Sequence, residues 1–435
     1  MYYDKKVIKS HKKSDLRFVT YIFFSLGLLL LPFSVKVASL PQFTLGFPFL
    51  IIVIILFSGY VALGRFLNKS YSNFLILMIL FIFDLTFSLV YSPVFNETLK
   101  KLIYHYIGFV IFLYLLSPLS LVVKNDNNKK DMNNLLYLTV MSATILSSYF
   151  IIHTIYVSTK YGLVNVLSQR YPGGLMSLSW GTSNVVSSHL IFPFFLALYC
   201  VQKEKSRGKR IFYNISILLM IISIFLTLSR SVIVSISIGI IILFLLNNKI
   251  TIKNIFKVLG IILIAYGIDM LLFKGSTFKI ISHELYFRFV YRNTTNFNGR
   301  LSIWNNYVEN IANSTIFDIL FGRGYYSSVF LNSHSAHNII LTTIFELGIL
   351  GFVIQFFMFI AITLFIIHTF NSPTSYMVKE FYSVVMAGWV SMMIDMLFED
   401  VLFTQQYIIY FWVFLAIILL GKDSLNIEED NYAKY

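Results

Sequence analysis

Read for polarity alone, the chain alternates long apolar runs with short polar breaks. Runs such as "FLILMILFIFDLTFSLV" (74–90) and "YIIYFWVFLAIILL" (407–420) carry at most one charge each. Most of the apolar runs are roughly 17 to 23 residues long, which is what a helix needs to cross a bilayer. Twelve spans are predicted, near 18–35, 47–64, 74–92, 104–123, 135–157, 185–201, 212–228, 231–246, 255–273, 347–368, 382–398 and 406–421. The fold class is therefore an all-α polytopic membrane protein of about 12 transmembrane helices.

The breaks are unequal. Most are short, but about 70 residues (274–346) separate spans nine and ten, and connections of that length carry function or disorder. Disorder does not suit "ELYFRFVYRNTTNFNGRLSIWNNYVENI", which is aromatic and periodic. Leu301, Trp304, Tyr307, Val308 and Ile311 stand at helical spacing and predict an amphipathic helix along the membrane surface. A second loop, 158–184, holds the turn-rich "LSQRYPGGLMSLSWGTSN". The organisation expected is a basic N-terminus (1–17), spans one to nine (18–273), an extracytoplasmic loop with amphipathic helices (274–346), spans ten to twelve (347–421) and a tail (422–435).

Composition and charge sharpen this picture. Hydrophobic residues make up 57% of the 435 and charged ones 12%, with mean hydropathy +0.76. A net charge of +14 would suit nucleic acid were the cations not beside the spans, so a nucleic-acid partner is not expected. Of 34 Lys and Arg, 22 fall in segments on one side, and the positive-inside rule makes that side, with both termini, cytoplasmic. The basic start has no small-residue cleavage site after it and is expected to be a retained first span. Enrichment in Ile, Phe, Asn, Lys and Tyr points to an AT-rich bacterial genome, hence to a bacterial cytoplasmic (inner) membrane. Cys200 is the sole cysteine, which excludes disulfides and thiolate metal sites within the chain.

Candidate chemistry gathers on the outer side. Arg170, Arg230, Arg288, Arg292, Arg300 and Arg323 are expected there, and guanidinium offers permanent charge in a planar fork suited to phosphate oxygens. Arg230, in "FLTLSRSVIVSI", falls in a tight turn between spans seven and eight, at the level of a lipid diphosphate. His334 and His337 stand three apart ahead of span ten. Histidine suits proton transfer near neutral pH. Its alternative reading is a loop histidine bonded to backbone. The pair could begin a metal site, but only Glu309, Asp318 and Glu346 are close in the chain, so neither metal nor cofactor is expected. Asp84 lies mid-span, either functional or a hydrogen-bonded structural acid, while Asp395, Glu399 and Asp400 lie nearer outer ends. No Asp-x-Asp, G-x-S-x-G, C-x-x-C or P-loop pattern occurs, which removes nucleotide-sugar transferase, hydrolase, redox and ATPase readings.

His337, Asn338, Gly348 and Gly351 form a His-Asn, nine residues, Gly, two residues, Gly pattern that resembles the O-antigen ligase and O-antigen polymerase (Wzy-type) superfamily. "TLSRS" around Arg230, the Arg300 to Gly324 stretch and "WGTSNVVSSHLIFPF" are similar to that family's other elements, in the same order. The resemblance implies a GT-C-like, metal-independent and inverting glycosyltransferase. Its substrate would be an undecaprenyl-diphosphate-linked oligosaccharide within membrane lipid, and a chain-length regulator and a repeat-unit flippase would be partners. It implies that Arg230 and Arg300 grip the diphosphate and that His337 acts on the acceptor hydroxyl. Arg288, Arg170, His334, Asn338 and Trp304 would complete the substrate site. Polymerases of the family carry Arg, ten residues, Gly in two outer loops, and this chain has Arg170 to Gly181 and Arg288 to Gly299. Polymerase is therefore the expected activity. The alternatives are a ligase acting on lipid A core or protein, and a transporter of the lipid-linked glycan.

Overall fold

The computed structural model describes residues 2–35, 43–62, 72–117, 119–120, 128–168, 183–246, 260, 267, 270, 275–287, 290, 299–332 and 335–425. Apolar helices fill them: α1 (Tyr2–Leu30), α2 (Phe47–Ala62), α3 (Ser72–Phe87), α4 (Phe95–Leu116), α5 (Asn128–Tyr161), α6 (Leu163–Ser168), α7 (Ser183–Lys203), α8 (Arg207–Thr227) and α9 (Arg230–Leu246). A two-residue antiparallel pairing, β1 (Ser34–Val35) with β2 (Phe43–Thr44), links α1 to α2. Next come α10 (Ser276–Tyr286), α11 (Arg300–Ala312), α12 (Ile316–Phe321), α13 (Ser328–Leu331), α14 (Ile339–Asn371), α15 (Tyr376–Met396) and α16 (Gln405–Leu425). Eleven of the twelve predicted spans coincide with one of these helices, seven of them long enough to cross a membrane and four shorter. The ninth, 255–273, lies almost wholly outside the described residues.

Apolarity alone does not tell lipid-facing helices from central ones, and packing does. α7 is enclosed by protein along its length and α16 nearly so, whereas α8 and α14 turn most of their surface outward. Close approach relies on small residues: a Cβ on Gly108 would stand 2.3 Å from the Trp412 ring, and one on Gly239 2.1 Å from Ser391 Oγ. Some polar groups inside the bundle find partners in the backbone of neighbouring helices, as a water-free interior favours. Tyr410 donates to the Leu28 carbonyl at 3.0 Å and Ser142 to the same oxygen at 2.9 Å.

One end of the bundle carries residues 299–332 and 335–338, and a break in α14 seats them. Gly348 adopts φ 70°, ψ −171° inside the helix. The carbonyls of Phe345 and Glu346, which helical bonds would otherwise occupy, accept instead from Arg323 N (3.0 Å) and Gly324 N (2.9 Å). The strands of backbone are so close that a Cβ on Gly348 would meet Leu320 O at 2.3 Å, and one on Gly322 would meet Glu346 O at 2.3 Å. The buried Glu346 carboxylate accepts from Tyr326 N (2.6 Å) and Ser328 N (3.2 Å). On the other flank, Tyr325 N donates to Ser88 Oγ at 3.2 Å, its carbonyl accepts from Thr98 Oγ1 at 2.7 Å, and its hydroxyl pairs with His105 Nε2 at 2.9 Å. The loop is thus fastened to α3, α4 and α14.

α14 begins at Ile339, eight residues before the expected 347, because Asn338 caps it. The apolar stripe of α11 is also turned inward at its centre: Tyr307 is fully buried against Phe345 and Ala336.

Gly348→Ala combines a left-handed backbone with a backbone clash, and it is expected to destabilise the protein by about 2 kcal/mol or more. Gly59→Ala, in α2 with open space around its Cα, is expected to be neutral or slightly stabilising. Thermal unfolding of both variants in lipid nanodiscs distinguishes them; equal midpoints would remove the role assigned to the break.

Candidate active site

His337 sits between the loop and α14, at the residue before the cap. It holds φ +50°, a conformation that costs a residue with a side chain and persists where its surroundings enforce it. Three neighbours do so here. Its N–H donates to Ser335 Oγ at 3.2 Å. Asn338 Oδ1 accepts from Ile340 N (3.0 Å) and Leu341 N (3.1 Å), a helix N-cap, while its Nδ2 donates to Leu397 O at 2.9 Å. Trp304 Nε1 donates to the Ala336 carbonyl at 2.9 Å.

The Leu397 contact brings in the turn after α15, which carries Glu399, only 2% exposed. A carboxylate so far from water needs donors, and three elements supply them. His337 Nδ1 lies 3.0 Å from Oε1. Arg300, the first residue of α11, donates through a terminal guanidinium nitrogen to Oε2 at 3.3 Å. Asn184, at the start of α7, donates its amide to Oε2 at 3.1 Å. Asp400 beside it accepts from Thr342 Oγ1 at 3.3 Å.

These contacts set the proton affinities. Burial discourages a proton on His337, but the hydrogen bond and charge of Glu399 outweigh it, so the imidazole holds its proton above the usual histidine range. Burial would raise Glu399, yet His337, Arg300 and Asn184 together hold its carboxyl below the usual range. Asp400 is pushed up, by burial first and also by its charged neighbour Glu399. With Nδ1 committed to Glu399, Nε2 is the ring nitrogen left for a substrate, the arrangement of a base held by a third group.

The other expected residues are distributed around this centre. Arg230 is the first residue of α9, half-buried. The hydroxyl of the following Ser231, with that of Ser188, lies beside the buried Asp395 carboxylate without a well-formed hydrogen bond, and Asp395 in turn feels the charges of Glu399 and Arg300. The start of α9 therefore adjoins the cluster. Trp304 and Asn338 spend their polar groups on backbone that holds His337 in place. Arg170, Arg288 and His334 lie outside the described residues.

His337, Glu399 and Asp400 present three ligand-type atoms within 4.8 Å of one another. Sequence spacing could not offer the two acids, which stand 62 and 63 residues from the histidine. The donor set fits an ion poorly, since Glu399 is already shared by a guanidinium, an imidazole and an amide, and a cation on it would compete with Arg300. Lys101 of α4 adds further positive charge nearby. It is buried, 4.4 Å over the Tyr326 ring, and within reach of the charges of Glu346 and Asp400.

Sequence reasoning assigned no role to Glu399 or Asn184. The available signals were an acid expected near the outer end of a span and the asparagine of "WGTSN". Neither identifies a partner.

No curated protein matches the chain. A family model described as O-antigen ligase matches residues 215–356, that is 142 of 435 residues. Arg230, Arg300, His337, Asn338, Gly348 and Gly351 fall inside that segment, whereas Asn184, Glu399 and Asp400 fall outside it. The segment that carries Arg230, Arg300, the imidazole and the broken helix described above is thus similar to the O-antigen ligase family.

Proposed function

We propose that this chain polymerises lipid-linked oligosaccharide repeats at the outer face of a bacterial cytoplasmic membrane. The donor is a glycan on a polyprenyl diphosphate and the acceptor a sugar hydroxyl of a second lipid-linked unit. The observation that carries this reading is the bridging of His337 and Arg300 by one buried carboxylate, which puts a proton acceptor and a fixed cation within one substrate's reach.

In the reaction, the acceptor oxygen forms a bond to the anomeric carbon as the bond from that carbon to the diphosphate oxygen breaks. The hydroxyl proton passes to His337 Nε2, and the bonding electrons leave with the diphosphate. Negative charge grows on the departing group. Arg300 and Arg230, held by the protein rather than by solvent, strengthen their attraction as it grows and lower the barrier. Attack opposite the leaving group inverts the anomeric centre. Glu399 is a positioning residue: it orients the ring and raises its basicity. The two Arg, ten residues, Gly stretches favour polymerase over ligase. A ligase would use the same chemistry on a different acceptor.

A null strain separates the two. Single repeats still attached to the final acceptor mean polymerase; long chains stranded on the polyprenyl carrier mean ligase. His337→Ala is expected to lower transfer by about 10²–10⁴-fold while donor-lipid binding stays within twofold; retained turnover removes the base role. Arg300→Lys and Arg230→Lys are each expected to lose most activity, because an ammonium keeps charge without the planar fork.

The pH profile tests the positioning role. Transfer needs unprotonated His337, so kcat/KM should rise with pH through a midpoint above the ordinary histidine value of about 6.5. In Glu399→Gln the hydrogen-bonded charge is gone while burial and the smaller influence of Asp400 remain, so the midpoint should fall as the maximal rate drops. An unmoved midpoint would exclude Glu399 as the group that tunes the ring.

A further inference from the structure

α12 turns apolar side chains away from the protein: Ile316 is 78%, Phe317 47% and Leu320 39% exposed. The helix is well made. Thr315 Oγ1 caps it by accepting from Asp318 N at 3.1 Å, and Asp318 faces Arg323 at 3.8 Å on another side. Aromatic contacts seat it on the end of α3, with ring centroids 5.4 Å apart for Tyr91 and Phe317 and 5.6 Å for Phe87 and Phe321. The Tyr91 hydroxyl also donates to the Phe321 carbonyl. The exposed apolar residues therefore stand on a fixed element.

What covers them follows from what they continue. α3 exposes Ile76, Ile79, Leu80, Phe83 and Phe87 along its length, and Val90 beyond its end is 81% exposed. On a membrane span these are the residues that face hydrocarbon. α12 extends that surface past the end of α3. It also lies against the break of α14, whose Ile349 and Leu350 turn outward just beyond Gly348. An apolar face flanked on two sides by lipid-facing helix is at the edge of the bilayer.

We infer that α12 is a wedge inserted into the membrane leaflet bordering the site, with Ile316, Phe317 and Leu320 in contact with lipid acyl chains. It anchors the loop to the lipid surface. Leu320 and Gly322 press on the backbone at Gly348, and the first half of α14 runs from there to Asn338 and His337. The wedge therefore fixes the height of the His337–Glu399 cluster above the hydrocarbon. This holds whether the acceptor is a lipid-linked repeat or another glycan.

Single cysteines test the wedge in the full chain on a Cys200→Ser background, Cys200 being the chain's one cysteine and buried. Spin labels are placed by Ile316→Cys and Phe317→Cys, with Val90→Cys as the hydrocarbon reference and Asn313→Cys and Glu309→Cys as water references. The protein is reconstituted in nanodiscs of phosphatidylethanolamine and phosphatidylglycerol. Collisions with oxygen and with a water-soluble nickel chelate are measured by power saturation. At 316 and 317, oxygen collisions should exceed those of the chelate several-fold, as at 90, with the order reversed at 309 and 313. Chelate access at 316 and 317 equal to that at 313 would overturn the inference. Low access to both reagents would also overturn it, by showing that protein, such as a second copy of this chain, covers the helix. Two labelled positions on one helix, one of them 78% exposed, keep the result readable if either substitution disturbs folding.

Discussion

A buried carboxylate organises the candidate site. Glu399 is almost out of water, and its charge survives there because Asn184, Arg300 and His337 all donate to it. These donors belong to the start of α7, the start of α11 and the residue before the α14 cap. One charge thus ties together three segments distant in the chain. Such pairings contribute little net stability once desolvation is counted, and removing one partner is costly because it strands the others. Their effect is to specify geometry: the cation and the imidazole stand where the carboxylate holds them.

Backbone polarity imposes the second constraint. A loop cannot cross the face of an apolar bundle with its amides unpaired. The solution is a helix broken at Gly348, which releases two carbonyls to Arg323 N and Gly324 N. Glycines at 322 and 348 permit the approach. The buried Glu346 then satisfies two further amides of the same loop. His337 consequently sits on a scaffold fastened at both ends, and its unfavourable φ is held by neighbours rather than relaxed.

The two constraints meet at Asn338. Its oxygen caps α14 and its amide nitrogen reaches Leu397 O, so one side chain joins the histidine's helix to the turn bearing Glu399. The His-Asn pair is thereby an imidazole followed by the residue that fastens it. The two glycines after it also have separate duties. Gly348 allows the break, and Gly351 leaves room for α3, since a Cβ there would stand 2.6 Å from the Asp84 carboxylate. The mid-span acid thus packs against the same helix that carries the histidine's cap.

The sequence by itself determined the helical membrane architecture and the place of eleven apolar helices, and it singled out one histidine and two arginines as candidates. Transfer into hydrocarbon is nearly additive along a run of residues, so local composition suffices for it. The tertiary structure alone decided that Glu399 and Asn184 complete the cluster, that Trp304 and Asn338 hold backbone, that Tyr307 on the stripe of α11 faces Phe345, and that α12 bears the outward apolar face. Each of these depends on which segments cross, and pairings between residues such as 184, 300, 337 and 399 leave no trace in spacing along the chain.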